Sequence, residues 1–83
     1  MKIIVYSDSG HAWGKVKKAD IKEEVSISSY SYQKGAYAYL EEDCDLPAFV
    51  DAWLYDNPTK QVEFVEQYTE GDSQIRRYER YEK

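Results

Sequence analysis

The sequence predicts an α+β domain, an antiparallel sheet of about five to six short strands built from hairpins, with one amphipathic helix packed on one face. Two observations predict it. Leu46, Phe49, Val50, Trp53 and Leu54 repeat at helical spacing, which makes a full apolar stripe. Around that stripe, β-branched and aromatic runs alternate with turn clusters such as Asp8-Ser9-Gly10, Lys34-Gly35 and Gly71-Asp72.

In chain order, Lys2 to Ser7 is β-branched and nearly continuously apolar, which suits a strand covered on both faces. Ala12 to Lys18 reads as a second strand, with Trp13, Lys15 and Lys17 on one face and Ala12, Gly14 and Val16 on the other. Gly14 marks a bulge or a close approach. Asp20 to Glu24 fits either a helical turn or a loop. Val25 to Tyr32 and Ala36 to Glu42 form a hairpin about Lys34-Gly35, because Gly35 supplies a positive φ. That register sets Tyr32 opposite Tyr37, Tyr30 opposite Tyr39 and Ser28 opposite Glu41. One face then carries Tyr30, Tyr32, Tyr37 and Tyr39, and the other carries Ile27, Ser29, Ser31, Ala38 and Leu40.

Asp45 is the expected N-cap of the helix, Pro47 suits its first turn, and Asn57-Pro58 stops it. Trp53 lies mid-stripe and is expected to be buried. Residues 61–81 read as a second hairpin about Gly71-Asp72. Its register sets Tyr68 opposite Ile75, Glu66 opposite Arg77, Glu63 opposite Arg80 and Val62 opposite Tyr81.

Eighty-three residues make a single domain, 1–83. With one cysteine there is no internal disulfide, and Cys44 alone cannot build a zinc site. No stretch resembles a signal peptide or a membrane span, so a soluble, intracellular protein is expected, without membrane contact. The net charge of −5 disfavours generic binding to phosphate backbones. The charge is uneven. Residues 1–22 sum to +3, residues 23–56 to −7 and residues 57–83 to −1.

Glu41, Glu42, Asp43 and Asp45 join a strand end to a helix start. Acids there are favoured by the helix dipole. They lack the spaced oxygens of a calcium loop, so no metal and no cofactor is expected. His11 with Cys44 and Asp43 offers a Cys-His pair in principle, but no nucleophile elbow, phosphate loop or metal-ligand spacing surrounds them. The tyrosine face has stacking surface for bases, yet its neighbours are acidic, which argues against direct nucleic-acid binding there.

The segments Ser9-Gly10-His11-Ala12-Trp13 and Ile27 to Asp45, the latter containing Ser-Tyr-Ser-Tyr and Tyr-Leu-Glu-Glu-Asp-Cys-Asp, carry a resemblance. They are similar to a group of short bacteriophage and prophage proteins with a Gly-His-x-Trp loop, that same core and a Phe-bearing helix. The likeness covers roughly the first two-thirds of the chain. It implies a viral source and a host cytoplasm, and it carries over no catalytic residue. By analogy with small phage proteins, it implies binding to a host protein, including restriction or CRISPR-type machinery.

The lead expectation is therefore a non-enzymatic protein, monomer or homodimer, that binds a host protein. The candidate contact residues are Tyr30, Tyr32, Tyr37, Tyr39, Glu41, Glu42, Asp43, His11 and Trp13. The tyrosine face is expected to stay partly exposed, since one helix covers one sheet face. One alternative is a nucleic-acid mimic that fills a basic groove. Another is a small enzyme or metal protein using His11, Cys44 and the acids.

Overall fold

The β-branched run at the start forms β1 (Lys2–Ser7), and the Trp-bearing run forms β2 (Ala12–Lys17). A 3-10 turn follows at Lys18–Asp20, then irregular chain as far as β3 (Tyr32–Lys34). β4 (Tyr37–Glu41) leads into α1 (Asp45–Asp56), and β5 (Glu63–Tyr68), a 3-10 turn at Gln74–Arg77 and β6 (Glu79–Arg80) complete the chain. These elements come from a computed structural model that describes residues 1–82. The fold is α+β, with a six-stranded mixed sheet in the order β5-β1-β2-β4-β3-β6 and one helix packed against it. Among the described residues, no helix is long and apolar enough to cross a membrane.

The β3–β4 turn holds Gly35 at φ 60°, as its sequence demands, but the loop is Gly35-Ala36. The observed register pairs Tyr32 with Tyr39 and Lys34 with Tyr37, two residues away from the expected one. A two-residue turn with glycine in its first central position is the type II′ pattern, whose twist suits a hairpin. The two-residue shift keeps every side chain on its expected face, but it strands residues 25–31 outside the sheet. Tyr30 is therefore a loop residue and does not face Tyr39.

The second expected hairpin is not formed. β5 runs parallel to β1, with Lys2 opposite Glu63 and Ser7 opposite Tyr68. The chain then turns at Gly71, φ 78°, and reaches the opposite sheet edge, where β6 pairs with β3 through Tyr32–Arg80 and Gln33–Glu79. None of the expected contacts of Tyr68 with Ile75, Glu66 with Arg77, Glu63 with Arg80 or Val62 with Tyr81 pairs two strands. Glu66 instead accepts from the Ser7 hydroxyl at 2.9 Å.

The main core lies between sheet and helix. Ile3, Val16, Ala38, Leu40, Leu46 and Phe49 are buried together there, with Trp53, Val50 and Val62 packed partly buried around them. The buried residues of α1, Asp45, Leu46 and Phe49, all lie in its N-terminal half. The helix docks by that end, and Trp53, expected to be mostly buried, packs partly buried at the margin of the core. Asn57 ends the helix by donating its side-chain amide to the Trp53 carbonyl, at 2.8 Å.

Gly14 is a close approach. A Cβ there would stand 2.7 Å from Leu46 Cδ1 and 3.2 Å from Ile3 Cγ2. Gly14→Ala is expected to cost about 1–3 kcal/mol, because Leu46 must leave its seat. A urea unfolding midpoint equal to that of wild type would show that the helix has slack there.

Candidate functional site

A strap, residues 71–80, crosses the tyrosine face and builds the site. Asp8 follows β1, and its buried carboxylate gathers donors from both ends of the chain. Oδ1 accepts from the Gly10 and His11 amides at 3.0 and 2.9 Å, and from Arg76 Nη2 at 2.9 Å. Oδ2 accepts from the Ser73 amide at 2.9 Å and from Arg76 Nε at 2.7 Å. The Arg76 guanidinium, helped by the Ser73, Gly10 and His11 amides, holds the Asp8 carboxyl well below the usual carboxylate range, against the opposing effect of burial. Arg76 also lies over the Trp13 ring, 5.2 Å from its centre.

The strap carries Ile75 onto the tyrosine face, where it is buried with Trp13 and Tyr39. Tyr6, Tyr32 and Tyr78 surround this second cluster. Tyr39 meets Tyr78 and Tyr6 in tilted ring contacts, with centroids 5.1 and 6.3 Å away. Burial, with Tyr78 and Tyr6 beside it, pushes the Tyr39 phenol up. The expectation of a partly exposed four-tyrosine face is therefore corrected at Tyr39, which is buried, and at Tyr30, which lies off the sheet. Tyr39 and Trp13 are core residues, Tyr32 is half-buried, and Tyr37 keeps only part of its surface in solvent. The physical reason is the strap, held by a charge pair between residues 8 and 76.

The acid cluster divides in the same way. The Glu41 carboxylate accepts from the amides of Asp43, Cys44 and Asp45 at 2.8, 2.7 and 2.7 Å, so it caps the helix. Cys44 occupies the N-cap position, where Asp45 was expected. Asp45 is buried and accepts from the hydroxyls of Ser28 and Ser31, at 2.7 and 2.5 Å, and from the Ser28 amide. Ser31 in turn accepts from the Glu41 amide at 2.9 Å. This network ties the loop before β3 to the helix start. Glu42 and Asp43 remain exposed.

At the edge of this network a groove of about 610 Å³ collects His11, Trp13, Tyr30, Tyr32, Glu41 and Asp43 from the expected set. Ser28, Cys44, Arg76 and Arg80 complete its lining. Tyr37, Tyr39 and Glu42 lie outside it. Tyr30 is 74% exposed. Trp13 and Tyr32 meet edge to face at 6.0 Å, and His11 sits 6.1 Å from Trp13. Arg80 lies 5.6 Å over Tyr32 and donates to the Ser29 carbonyl. Arg76 and Arg80 were not among the expected residues. A Tyr32 that needs a partner across the free edge of β3 was the only signal for Arg80, and nothing local signalled Arg76.

Cys44 is a free, exposed thiol, and no hydrogen bond joins it to His11 among the described residues. Among those residues, no group of three His, Cys, Asp or Glu side chains comes together as metal ligands would. No protein-family model, curated protein or solved structure matches the chain.

Proposed function

We propose that this chain is a non-enzymatic binding protein that engages a protein partner through the groove around Trp13 and Tyr32. The observation that supports this reading is Tyr30. An exposed tyrosine stands beside a groove with an aromatic floor, Arg80 on one part of its rim and Asp43 on another. Rigid aromatics and arginine, ringed by charge, are the residues that dominate protein interfaces. The bacteriophage-like motifs make a host protein the partner of choice, with defence machinery one class of it.

The arrangement speaks against a nucleic-acid mimic. Asp8, Glu41 and Asp45 spend their carboxylates on internal donors, which thins the surface charge such a mimic needs. The enzyme reading draws on one observation, that His11 and Cys44 line the same groove.

Tyr30→Ala tests the proposal. As an exposed loop residue it is expected to leave the circular dichroism and melting curve unchanged. Capture of the partner from host lysate should fall about tenfold or more. His11→Ala and Cys44→Ser should leave that capture intact. A Tyr30→Ala protein that captures as well as wild type would rule out the groove, and capture lost through Cys44→Ser alone would favour the thiol chemistry.

A further inference from the structure

The sheet is open at one place inside its own ladder. β1 and β2 pair from Ser7–Ala12 only as far as Ile4–Lys15, although both strands run on to Lys2 and Lys17. Beyond that point β1 stays with β5, down to Lys2–Glu63, and β2 stays with β4, down to Lys17–Tyr37. Each strand follows its outer neighbour, and the sheet parts between them. A pocket of about 290 Å³ occupies the parting.

Its lining has two characters. Met1 and Ile4, both half-buried, give it an apolar wall, backed by Ile3 and Val16 of the main core at 1% and 5% exposed. Lys2, Lys15 and Lys17 line it as well, with the Lys15 ammonium 4.2 Å from the centre of the Tyr37 ring. Asp20 is the one carboxylate in the lining. Among the described residues, none of these three lysines is in an ion pair. In a chain of net charge −5, the lining side chains alone carry a local excess of two positive charges beside an apolar wall.

We infer that the parting between β1 and β2 is a binding site for an amphipathic monocarboxylate, an apolar body the size of one side chain bearing a single carboxylate. A purely polar anion leaves the Met1 and Ile4 wall unmet. A neutral apolar ligand strips water from the lysines without replacing it. A carboxylate with an apolar body answers both, with charge-assisted hydrogen bonds from the ammonium groups. The volume lies at the lower end for ligand pockets, about 300–1,000 Å³, so the body is one ring or one branched chain. Free acids and the carboxyl-terminal residue of a peptide share this chemistry. The site lies at the other end of β2 from Trp13 and stands or falls apart from the groove.

The test is a titration of the full chain followed by amide NMR spectra, with hydrocinnamate, its neutral amide, and a short peptide ending in phenylalanine with a free carboxylate. The expected result is saturable shifts centred on Ile3, Ile4, Val16 and Lys17 with the carboxylates, and binding of the neutral amide about tenfold weaker. Lys17→Gln, an exposed change that keeps the fold, should weaken the acid by a similar factor and leave the neutral amide unaffected. A peptide that binds tighter than hydrocinnamate identifies a chain end as the natural source, and the reverse identifies a free acid. Equal binding of acid and amide, shifts centred near Trp13, or no saturable shift at millimolar ligand would overturn the inference.

Discussion

Phe49→Ala is expected to unfold the domain. Phe49 is 1% exposed and sits in the main core with Ile3, Val16, Ala38 and Leu40. Removing a buried phenyl ring costs about 3–5 kcal/mol, from lost burial and from the cavity left behind. A domain of this size has a total stability near the lower end of about 5–15 kcal/mol. The far-UV dichroism of the variant should lose most of its structure at room temperature. Trp53→Ala is the informative contrast. Its ring is half-buried, so its loss should cost about 2 kcal/mol and leave a folded protein with a lower Tm. If the two variants melted alike, the helix would be seated by its whole length rather than by its first two turns.

Asp8→Asn is the second large effect. The substitution keeps the shape but removes the charge that five donors share. The expected cost is about 3 kcal/mol, the low end for a broken buried pair, because the Arg76 side chain is 30% exposed and partly screened. The pH dependence carries a sign. The folded-state pKa of Asp8 is depressed, so its contribution is fully present above the unfolded-state value, about 4, and declines as the pH falls below it. The gap in stability between wild type and Asp8→Asn should therefore be constant near neutrality. Below about pH 4 it should narrow by about 1.4 kcal/mol per pH unit. A gap that is unchanged between neutral and strongly acidic solution would mean that the carboxylate is not held ionised by Arg76.

What was legible in the sequence was local. The β-branched run Lys2–Ser7 is β1, the alternation in Ala12–Lys17 assigns its faces correctly, Gly35 is in the turn with positive φ, and Asn57-Pro58 ends the helix. What was not legible depends on partners far away in the chain. The strap exists because Asp8 finds an arginine 68 residues later, and no window of periodicity contains both. The parallel pairing of β5 has the same cause, since alternation looks alike in either strand direction. Ser31 reads as filler in a tyrosine-rich strand, yet its hydroxyl is wholly buried against Asp45. Most of the groove was in view as a list of residues. Its assembly, with Arg76 and Arg80 added, needed the crossing of the strap.

The strap also divides the molecule into two units of unequal permanence. β6 and the turn before it are held by two cross-strand pairs, the Asp8 charge cluster, the Ile75 and Tyr78 contacts on the aromatic cluster and hydrogen bonds from Arg80 and Tyr81, whereas β1 to β4 and the helix share the larger apolar core. A segment held at a sheet edge by so short a ladder opens below the global unfolding free energy. Amide protons of Ser73, Ile75 and Tyr81 should exchange with solvent sooner than those of Ile3 or Leu40. Acid weakens the charge cluster while leaving the apolar core intact, so the first species on acidification is a folded sheet with its aromatic side bared. Trp13, otherwise 2% exposed, then reports the event by a fluorescence change that precedes loss of the far-UV signal. Noncoincident transitions of this kind are the signature of a chain that does not unfold in a single step.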